Sequence, residues 1–296
     1  MMHSDEVRVA TEVARGMIAD QFPRWAGLPV REVVAEGTVN AIHRIGDGLA
    51  ARFPLRAGDP DEVRGRLEAE AAAARELARH SPVPTPEPVA IGEPGRGHPL
   101  PWAVQTWLPG TAAADDDPSG SEAFALDLAA FIGALRGVGT GGRTFAGTGR
   151  GGDLRGQDPW MRTCFRESAG LLDVAALERM WAGFRLLPRA GADVMSHGDL
   201  IPGNVLVAGG RLAGVLDGGG FGPADPALDL VAAWHLLDDG PREAFRAALG
   251  CGDVEWERGR AWAFAQSMGL VWYYARSCPG LSRTGRRTLR RLSRTA

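Results

Sequence analysis

The stretch SHGDLIPGNVLV, residues 196–207, is the part of the chain from which the rest is best interpreted. It places a carboxylate, Asp199, and an amide, Asn204, five residues apart in a short loop that runs directly into an apolar strand. A second carboxylate, Asp217, follows the apolar run 212–216. We therefore expect two acids and one amide to converge at the ends of one hairpin.

This grouping suits magnesium-nucleotide chemistry. Mg²⁺ prefers oxygen ligands in an octahedron and usually takes only one or two of them from the protein. Asn204 and Asp217 can supply these two ligands, so that Asp199 remains to orient a substrate hydroxyl and accept its proton. The alternative is that all three are ordinary loop residues, because Asp, Asn, Gly and Pro are common in turns. The presence of both motifs at this spacing favours the catalytic interpretation.

The pattern H-G-D-L-x-x-x-N-x-L followed by Leu-Asp resembles the catalytic segment of the aminoglycoside phosphotransferase family, small-molecule kinases that are distantly similar to protein kinases. The resemblance implies a bilobal α+β fold. Residues 1–107 would form a small antiparallel β-sheet lobe, and residues 108–296 a mainly α-helical lobe with the catalytic loop and the substrate cleft. It also implies a nucleotide between the lobes and transfer of the γ-phosphate of ATP or GTP to a hydroxyl. His197 would brace the catalytic loop.

Composition and charge exclude several other classes of protein. Hydrophobic residues make up 45% of the chain and charged residues 23%, which is typical of a soluble globular protein. No apolar run approaches a membrane span and no basic-then-apolar leader is present, so we expect a cytoplasmic protein without membrane contact. A net charge of -3 provides no basic field for nucleic acid. Three widely spaced cysteines without a CxxC pair indicate reduced thiols. Oligomeric state stays open.

All 33 basic residues are arginine. A phosphate-binding loop that ends in Gly-Lys-Ser/Thr is thereby excluded. Arg52 is a lone charge in the apolar run 49–54, where the resemblance places the lysine that holds the α and β phosphates. A guanidinium can do this with a bidentate fork. The alternative is an arginine on an edge strand that faces water.

The remaining nucleotide contacts are implied by the resemblance. Gly37 would lie in the turn that covers the phosphates, although a plain hairpin turn is an equal interpretation. An acid on the helix that starts at residue 60 would pair with Arg52. We assign this role to Glu70, and the alternative is that Glu70 is solvated. The backbone of Thr106 and Leu108 would meet the purine, unless this segment is only an ordinary strand exit.

The local patterns also predict secondary structure in the first hundred residues. A first helix is expected over residues 4–22 with Ser4 as its N-cap. Three strands are expected over 30–36, 41–45 and 49–53, and the Asp-Gly turn at 47–48 is a strong hairpin signal.

After Asp217 the sequence departs from the family pattern. Relatives usually continue with an aromatic residue, whereas this chain has Gly218-Gly219-Gly220. Three glycines loosen the backbone that carries a proposed metal ligand. Either neighbours such as Phe221 hold the loop, or magnesium binding is weaker than in typical members. The segment GPADPALDL, 222–230, resembles the family pattern G-x-x-D-P-x-x-D-L, which implies that Asp225 holds the catalytic loop and Asp229 braces the next helix.

Two questions remain open at this level. The glycine-rich stretch 139–153 follows no strand, which excludes a dinucleotide fingerprint and leaves a mobile loop over the substrate cleft. The acceptor is expected to be an aminoglycoside-type or macrolide antibiotic or a related hydroxylated metabolite, in the manner of antibiotic resistance enzymes. The alternative, motivated by the triple glycine, is a catalytically silent kinase-like protein that binds a nucleotide or another ligand.

Overall fold

The computed structural model describes residues 9–33 and 40–294, and these fold into two compact units. The first unit consists of the described residues up to Arg79 together with Pro84–Pro109 and Asp217–Gly219. The second consists of His80–Val83, Gly110–Leu216 and the described residues from Gly220 onward. The chain thus passes from the first unit to the second next to the predicted boundary at 107. A short segment around Asp217 belongs to the first unit although it lies far along the sequence.

The first unit is an antiparallel sheet with two helices. Its strands follow the order β1-β2-β3-β5-β4 and every neighbouring pair is antiparallel. The strands are β1 (Val30–Val33), β2 (Asn40–Ile45), β3 (Leu49–Pro54), β4 (Pro88–Gly92) and β5 (Trp102–Thr106). The helices are α1 (Thr11–Gln21) and α2 (Pro60–His80), with a 3-10 turn at Pro23–Trp25. The predicted N-cap Ser4 lies outside the described residues. The predicted helix over residues 4–22 is wrong at residues 9 and 10, because α1 begins at Thr11 after Ala10 in an extended conformation.

Local sequence signals account for these elements. The Asp59 carboxylate accepts the N–H groups of Asp61 at 2.9 Å and Glu62 at 3.1 Å, which caps the first turn of α2. The turn between β2 and β3 uses Gly46 at φ 54°, a conformation that glycine adopts without strain. Behind the sheet, the rings of Phe53 and Trp102 stack at 4.7 Å and are fully buried.

The second unit is mainly helical. Its helices are α3 (Glu122–Arg136), α4 (Asp158–Glu167), α5 (Val174–Phe184), α6 (Val231–Leu236), α7 (Asp239–Leu249), α8 (Asp253–Tyr273) and α9 (Pro279–Arg294). Short strands complete it: β6 (Thr111–Ala112), β7 (Val194–Ser196), β8 (Val205–Ala208), β9 (Arg211–Val215) and β10 (Gly222–Ala224). Strands β6, β8 and β9 form one antiparallel sheet, and β7 pairs with β10. The α+β class with a small antiparallel sheet and a helical second part is therefore confirmed.

Helix α8 is the centre of the second unit. Trp262, Phe264 and Met268 are fully buried along it. A helix that is apolar on most sides is typical of a helix packed against neighbours all round. Within residues 9–33 and 40–294, no helix has the length and apolar character needed to cross a membrane.

The triple glycine has a steric explanation in the first unit. A Cβ atom on Gly218 would overlap the Cδ2 methyl of Leu77, and one on Gly219 would lie 3.0 Å from the Cβ of Glu70. Helix α2 therefore leaves no room for the aromatic residue that relatives carry at this position. The segment 218–220 is a 3-10 turn packed against that helix.

We expect Gly218→Ala to lower the free energy of unfolding by about 1–3 kcal/mol, because the added methyl overpacks the contact with Leu77. The measurement is urea denaturation. In a Leu77→Ala background the cost of Gly218→Ala should shrink, since the clashing methyl is gone. Gly65→Ala is the control, because Gly65 lies on α2 with open space around it, and there alanine should stabilise by roughly 0.5–1 kcal/mol. An equal effect of Gly218→Ala in both backgrounds would contradict the steric explanation.

Candidate active site

The loop between β7 and β8 brings Asp199 and Asn204 together. The Asn204 Nδ2 group donates to the Asp199 backbone oxygen at 2.9 Å and to Asp199 Oδ2 at 3.0 Å. Both amide hydrogens are used in this way, which leaves Asn204 Oδ1 as an acceptor. An amide oxygen fixed beside a carboxylate is a suitable ligand for a hard cation such as Mg²⁺.

The loop is held by Asp229 and His197. Asp229 accepts the backbone N–H groups of His197 and Gly198, each at 2.8 Å. His197 Nε2 donates to the Leu216 oxygen at 2.9 Å, and its Nδ1 accepts the Asp199 N–H at 3.3 Å. These bonds assign one tautomer to His197 and give it the bracing role that the resemblance implied.

The role that we predicted for Asp225 was wrong. Asp225 is fully buried and accepts hydrogen bonds from Arg258 Nε at 2.9 Å, Arg258 Nη2, Trp262 Nε1 at 3.2 Å and the Ala227 N–H at 3.0 Å. It therefore binds its own loop to α8, and Asp229 is the acid that holds the catalytic loop. Two aspartates four residues apart share the same local pattern, and only their packing decides which one reaches the loop.

Asp199 has two more partners, and both donate to the same oxygen. Arg150 Nη2 and Gln266 Nε2 each lie 2.8 Å from Asp199 Oδ1. Burial by itself raises the pKa of Asp199. The charge and hydrogen bond of Arg150, followed by smaller effects of His197 and Gln266, more than offset burial and hold this pKa below its ordinary value. Asp199 is therefore ionised at neutral pH, as a proton acceptor must be.

Arg150 comes from the glycine-rich stretch for which we expected a mobile loop over the substrate cleft. Hydrogen bonds fix the chain on both sides of it, because Gly149 O accepts Gln157 Nε2 at 3.0 Å and Gly151 O accepts the Asp225 N–H at 2.8 Å. Sequence reasoning named the stretch and missed the contact. An arginine among glycines, one of two in that stretch together with Arg143, was the available signal, and a lone glutamine in the apolar run 261–272 was the corresponding signal for Gln266.

In the first unit, Arg52 binds Asp217. Arg52 Nη2 lies 2.9 Å from Asp217 Oδ1, and its Nη1 donates to Gln105 Oε1 at 3.3 Å. The Arg52 side chain is 18% exposed, which contradicts the alternative of an arginine directed into bulk water. The guanidinium and the predicted metal ligand therefore share one site within this unit.

The direct ion pair that we predicted between Arg52 and Glu70 was wrong. In the described part of the chain, the ion pair of Glu70 is with Arg66 at 3.7 Å. Burial raises the pKa of Glu70, the charge of Arg52 opposes this, and the charge of Asp217 adds to it. Glu70 is thus close enough to sense both groups. Asp217 takes the guanidinium because its segment packs between Arg52 and the Glu70 helix.

The backbone at Asp217 is fixed rather than loose. Asp217 has φ 61°, a left-handed conformation that aspartate tolerates better than most residues. The preceding Leu216 donates its N–H to the Asn204 oxygen at 2.7 Å, and the following Gly218 packs against Leu77. Two outcomes were considered for the triple glycine, and this geometry supports a loop held by its neighbours. The neighbours that hold it are Leu77 and Glu70, whereas we had expected Phe221 to do so.

The structure narrows the predicted purine contact at Thr106 to one backbone group. The Thr106 N–H donates to the Glu87 oxygen at 2.9 Å, and Thr106 Oγ1 accepts the Glu87 N–H at 2.8 Å. Because this N–H is used, the carbonyl is the Thr106 backbone group left for a purine amino group. Leu108 stays a prediction. Gly37 lies outside the described residues.

Comparison with known proteins agrees with these features. Residues 31–262 match the sequence family described as the phosphotransferase enzyme family, called APH. The chain belongs to this family. The chain is 40% identical over 63 residues to an aminoglycoside 3'-phosphotransferase of Escherichia coli, and the aligned part covers 21% of the chain and 23% of that enzyme. It thus spans about a quarter of the length of that curated relative.

Solved structures of known enzymes share the fold of this chain. The GDP complex of aminoglycoside 2'-phosphotransferase-IIIa matches with a TM-score of 0.74 at 19% identity and covers 97% of this chain and 100% of that chain. A macrolide 2'-phosphotransferase from Brachybacterium faecium matches with a TM-score of 0.58 at 19% identity and covers 88% of this chain and 91% of that chain. The resemblance drawn from the catalytic segment is confirmed.

Proposed function

We propose that this chain transfers the γ-phosphate of ATP or GTP to a hydroxyl group of a small molecule. The observation that carries the proposal is the arrangement of Asp199. It is ionised, partly exposed and held by Asn204 in a loop braced by His197 and Asp229. A fixed carboxylate of this kind orients an acceptor hydroxyl and takes its proton.

The other predicted residues have roles in the same reaction. Arg52 would bind the phosphates through guanidinium N–H groups. Asn204 and Asp217 would hold Mg²⁺. The donor set fits, since Asn204 Oδ1 is left over from the hydrogen bonds of its amide group and Asp217 has a second carboxylate oxygen beside the one bonded to Arg52. When bound, Mg²⁺ supplies charge neutralisation on the phosphates.

The purine and the nucleotide-covering turn complete the proposed site. The Thr106 carbonyl and the Leu108 N–H would meet the purine, and Gly37 would allow the backbone to approach the phosphates. Glu70 would act through electrostatics on Arg52 and Asp217 rather than through a direct ion pair. Because ATP and GTP are cytoplasmic metabolites, the proposal includes a cytoplasmic location.

The acceptor in this proposal is an aminoglycoside-type or macrolide antibiotic or a related hydroxylated metabolite. Support comes from related structures, which include an aminoglycoside 2'-phosphotransferase with GDP and kanamycin and a macrolide 2'-phosphotransferase. The corresponding biological role would be antibiotic resistance.

A second candidate is a silent nucleotide- or ligand-binding protein. The observation that favours it is the ion pair between Arg150 and Asp199, because Arg150 binds one carboxylate oxygen of the residue that would accept the hydroxyl proton. Catalysis would require a substrate to share or displace this contact.

The test combines nucleotide binding with phosphate transfer. Affinity for ATP and GTP is measured by calorimetry with and without Mg²⁺, and transfer from γ-labelled nucleotide is screened against aminoglycosides, macrolides and hydroxylated metabolites. Tight Mg²⁺-dependent binding with transfer to at least one acceptor is the expected result. Nucleotide binding without transfer to any member of the panel would favour the silent protein, and absence of nucleotide binding would contradict the kinase proposal.

A further inference from the structure

A series of hydrogen-bonded polar side chains, of which the inner two are fully buried, leads from the core of the second unit to Asp199. Gln266 on α8 donates from Nε2 to Asp199 Oδ1 at 2.8 Å. His235 on α6 lies behind it, with Nε2 at 3.1 Å from Gln266 Oε1. Thr288 on α9 lies behind the histidine, with Oγ1 at 2.9 Å from His235 Nδ1. Three helices therefore each contribute one member.

The hydrogen-bond chemistry fixes the donor-to-acceptor direction along this series of side chains. The carboxylate of Asp199 can only accept, so Gln266 must present its NH₂ group to it and its oxygen to His235. His235 must then carry its proton on Nε2, and its bare Nδ1 accepts the hydroxyl proton of Thr288. Every donor in the chain points toward Asp199, and hydrogen bonds aligned in this way strengthen one another.

The histidine is held in the neutral form that this direction requires. His235 is fully buried. Burial lowers the pKa of His235 to about 4, and the hydrogen bond that His235 donates to Gln266 and the charge of Asp199 oppose this only in part. Arg150 and Arg287 add repulsion against a second proton. His235 is therefore neutral throughout the physiological range and keeps a single tautomer.

We propose that Gln266 is a positioning residue for Asp199, and that His235 and Thr288 hold its amide in the orientation that donates to the carboxylate. The proposal rests on the proposed function for the statement that Asp199 is the base. It goes beyond that function because it assigns the residues that position the Asp199 carboxylate. Without His235 the Gln266 oxygen loses its donor, so the amide is no longer fixed against the carboxylate.

A purely structural role explains this series of hydrogen-bonded side chains less well than a positioning role does. A fully buried hydroxyl and imidazole each cost desolvation energy that apolar residues of similar shape would avoid. Here they are hydrogen-bonded in series through the Gln266 amide, and the series ends on the partly exposed carboxylate of the site. Packing alone would not require that the series end at Asp199.

The first experiment measures the pKa of Asp199 without any turnover. Aspartate is labelled with ¹³C at Cγ, and Asp199→Asn identifies the Asp199 signal in pH titrations. We expect Gln266→Leu to raise the pKa of Asp199, because a donor to the ionised form is lost. Arg150→Gln should raise it as well and serves as the positive control. Ser267→Ala should leave it unchanged, since the neighbouring Ser267 is fully buried and its hydroxyl has no partner among the described residues.

An unchanged Asp199 pKa in Gln266→Leu, beside a raised one in Arg150→Gln, would overturn the proposal. If Gln266→Leu does not fold, Gln266→Met provides the same loss of a donor with a more adaptable side chain. Thermal melts of each variant show whether the titrated protein is native.

The second experiment tests the orienting histidine. His235→Leu should raise the pKa of Asp199, because the Gln266 amide is no longer held. His235→Gln should stay close to the wild type, since its own amide can donate near the former Nε2 position. Equal pKa values of Asp199 in wild type and His235→Leu would remove His235 from the assigned role.

Once an acceptor is known, kinetics give a third readout. Gln266→Leu should lower kcat by about 10- to 30-fold with the nucleotide KM unchanged, the lower part of the range for a hydrogen bond to a charged group because Asp199 is partly exposed. An unchanged kcat would count against positioning. Failure of the wild type to transfer phosphate would instead count against the proposed function, while the titrations would still decide the hydrogen-bond chain.

Discussion

Replacing Asp199 by asparagine should lower kcat by about 10²- to 10⁴-fold, the range for a positioned general base, while the affinity for nucleotide changes little. The reason is chemical, because an amide of nearly the same shape cannot accept the hydroxyl proton. Asparagine also keeps an oxygen that can accept from Arg150 and Gln266, so the loop should stay folded. The measurement is steady-state kinetics beside calorimetric binding of the nucleotide.

A matched control is Asp173→Asn. Asp173 caps α5 by accepting the Ala176 N–H at 3.1 Å, and asparagine caps a helix equally well. We expect this variant to keep the wild-type kcat. Equal turnover in wild type and Asp199→Asn would remove Asp199 from the role of base, whatever the control shows.

Replacing Arg258 by methionine should lower the free energy of unfolding by about 3–5 kcal/mol, the cost of leaving one member of a buried ion pair without its partner. The side chains of Arg258 and Asp225 are 2% and 0% exposed. Arg258 also donates to the Leu187 oxygen at 2.7 Å, so the change removes the link from α8 to two loops. Thermal and urea denaturation measure the effect.

The control for this prediction is the same substitution on an exposed helix position. The Arg166 side chain on α4 is 69% exposed and, within the described part of the chain, its ion pair is with the adjacent Glu167, so Arg166→Met should change stability by less than about 0.5 kcal/mol. Combining Arg258→Met with Asp225→Leu should recover part of the loss, because the unpaired carboxylate is removed. A loss in Arg258→Met as small as that in Arg166→Met would show that the buried pair contributes little.

Much of the fold follows from short-range signals. The Asp-Gly turn predicted the β2–β3 hairpin, and Asp59 with Pro60 predicted the start of α2, because turns and caps depend on residues within a few positions of one another. The two motifs that contain Asp199 and Asp217, and their order in the sequence, were sufficient to indicate the family. These features need no knowledge of tertiary contacts.

The parts that could not be predicted depend on contacts across long sequence separations. Asp225 and Asp229 are equivalent in local pattern, and packing against Arg258 separates their roles. Arg52 turned out to bind Asp217 instead of Glu70, and Arg150 and Gln266 meet at Asp199 from opposite sides of it in sequence. Periodicity and capping carry no information about such pairs, so side-chain partners stay beyond sequence reasoning even where the element is predicted well.

The guanidinium of Arg52 has a practical consequence for labelling studies. Activity probes for kinases commonly acylate the ε-amine of the lysine that faces the phosphates, and a chain whose 33 basic residues are all arginine offers them no such nucleophile. Profiling by amine acylation should therefore pass over this protein, whereas dicarbonyl reagents such as phenylglyoxal, which condense with guanidinium groups, should detect it.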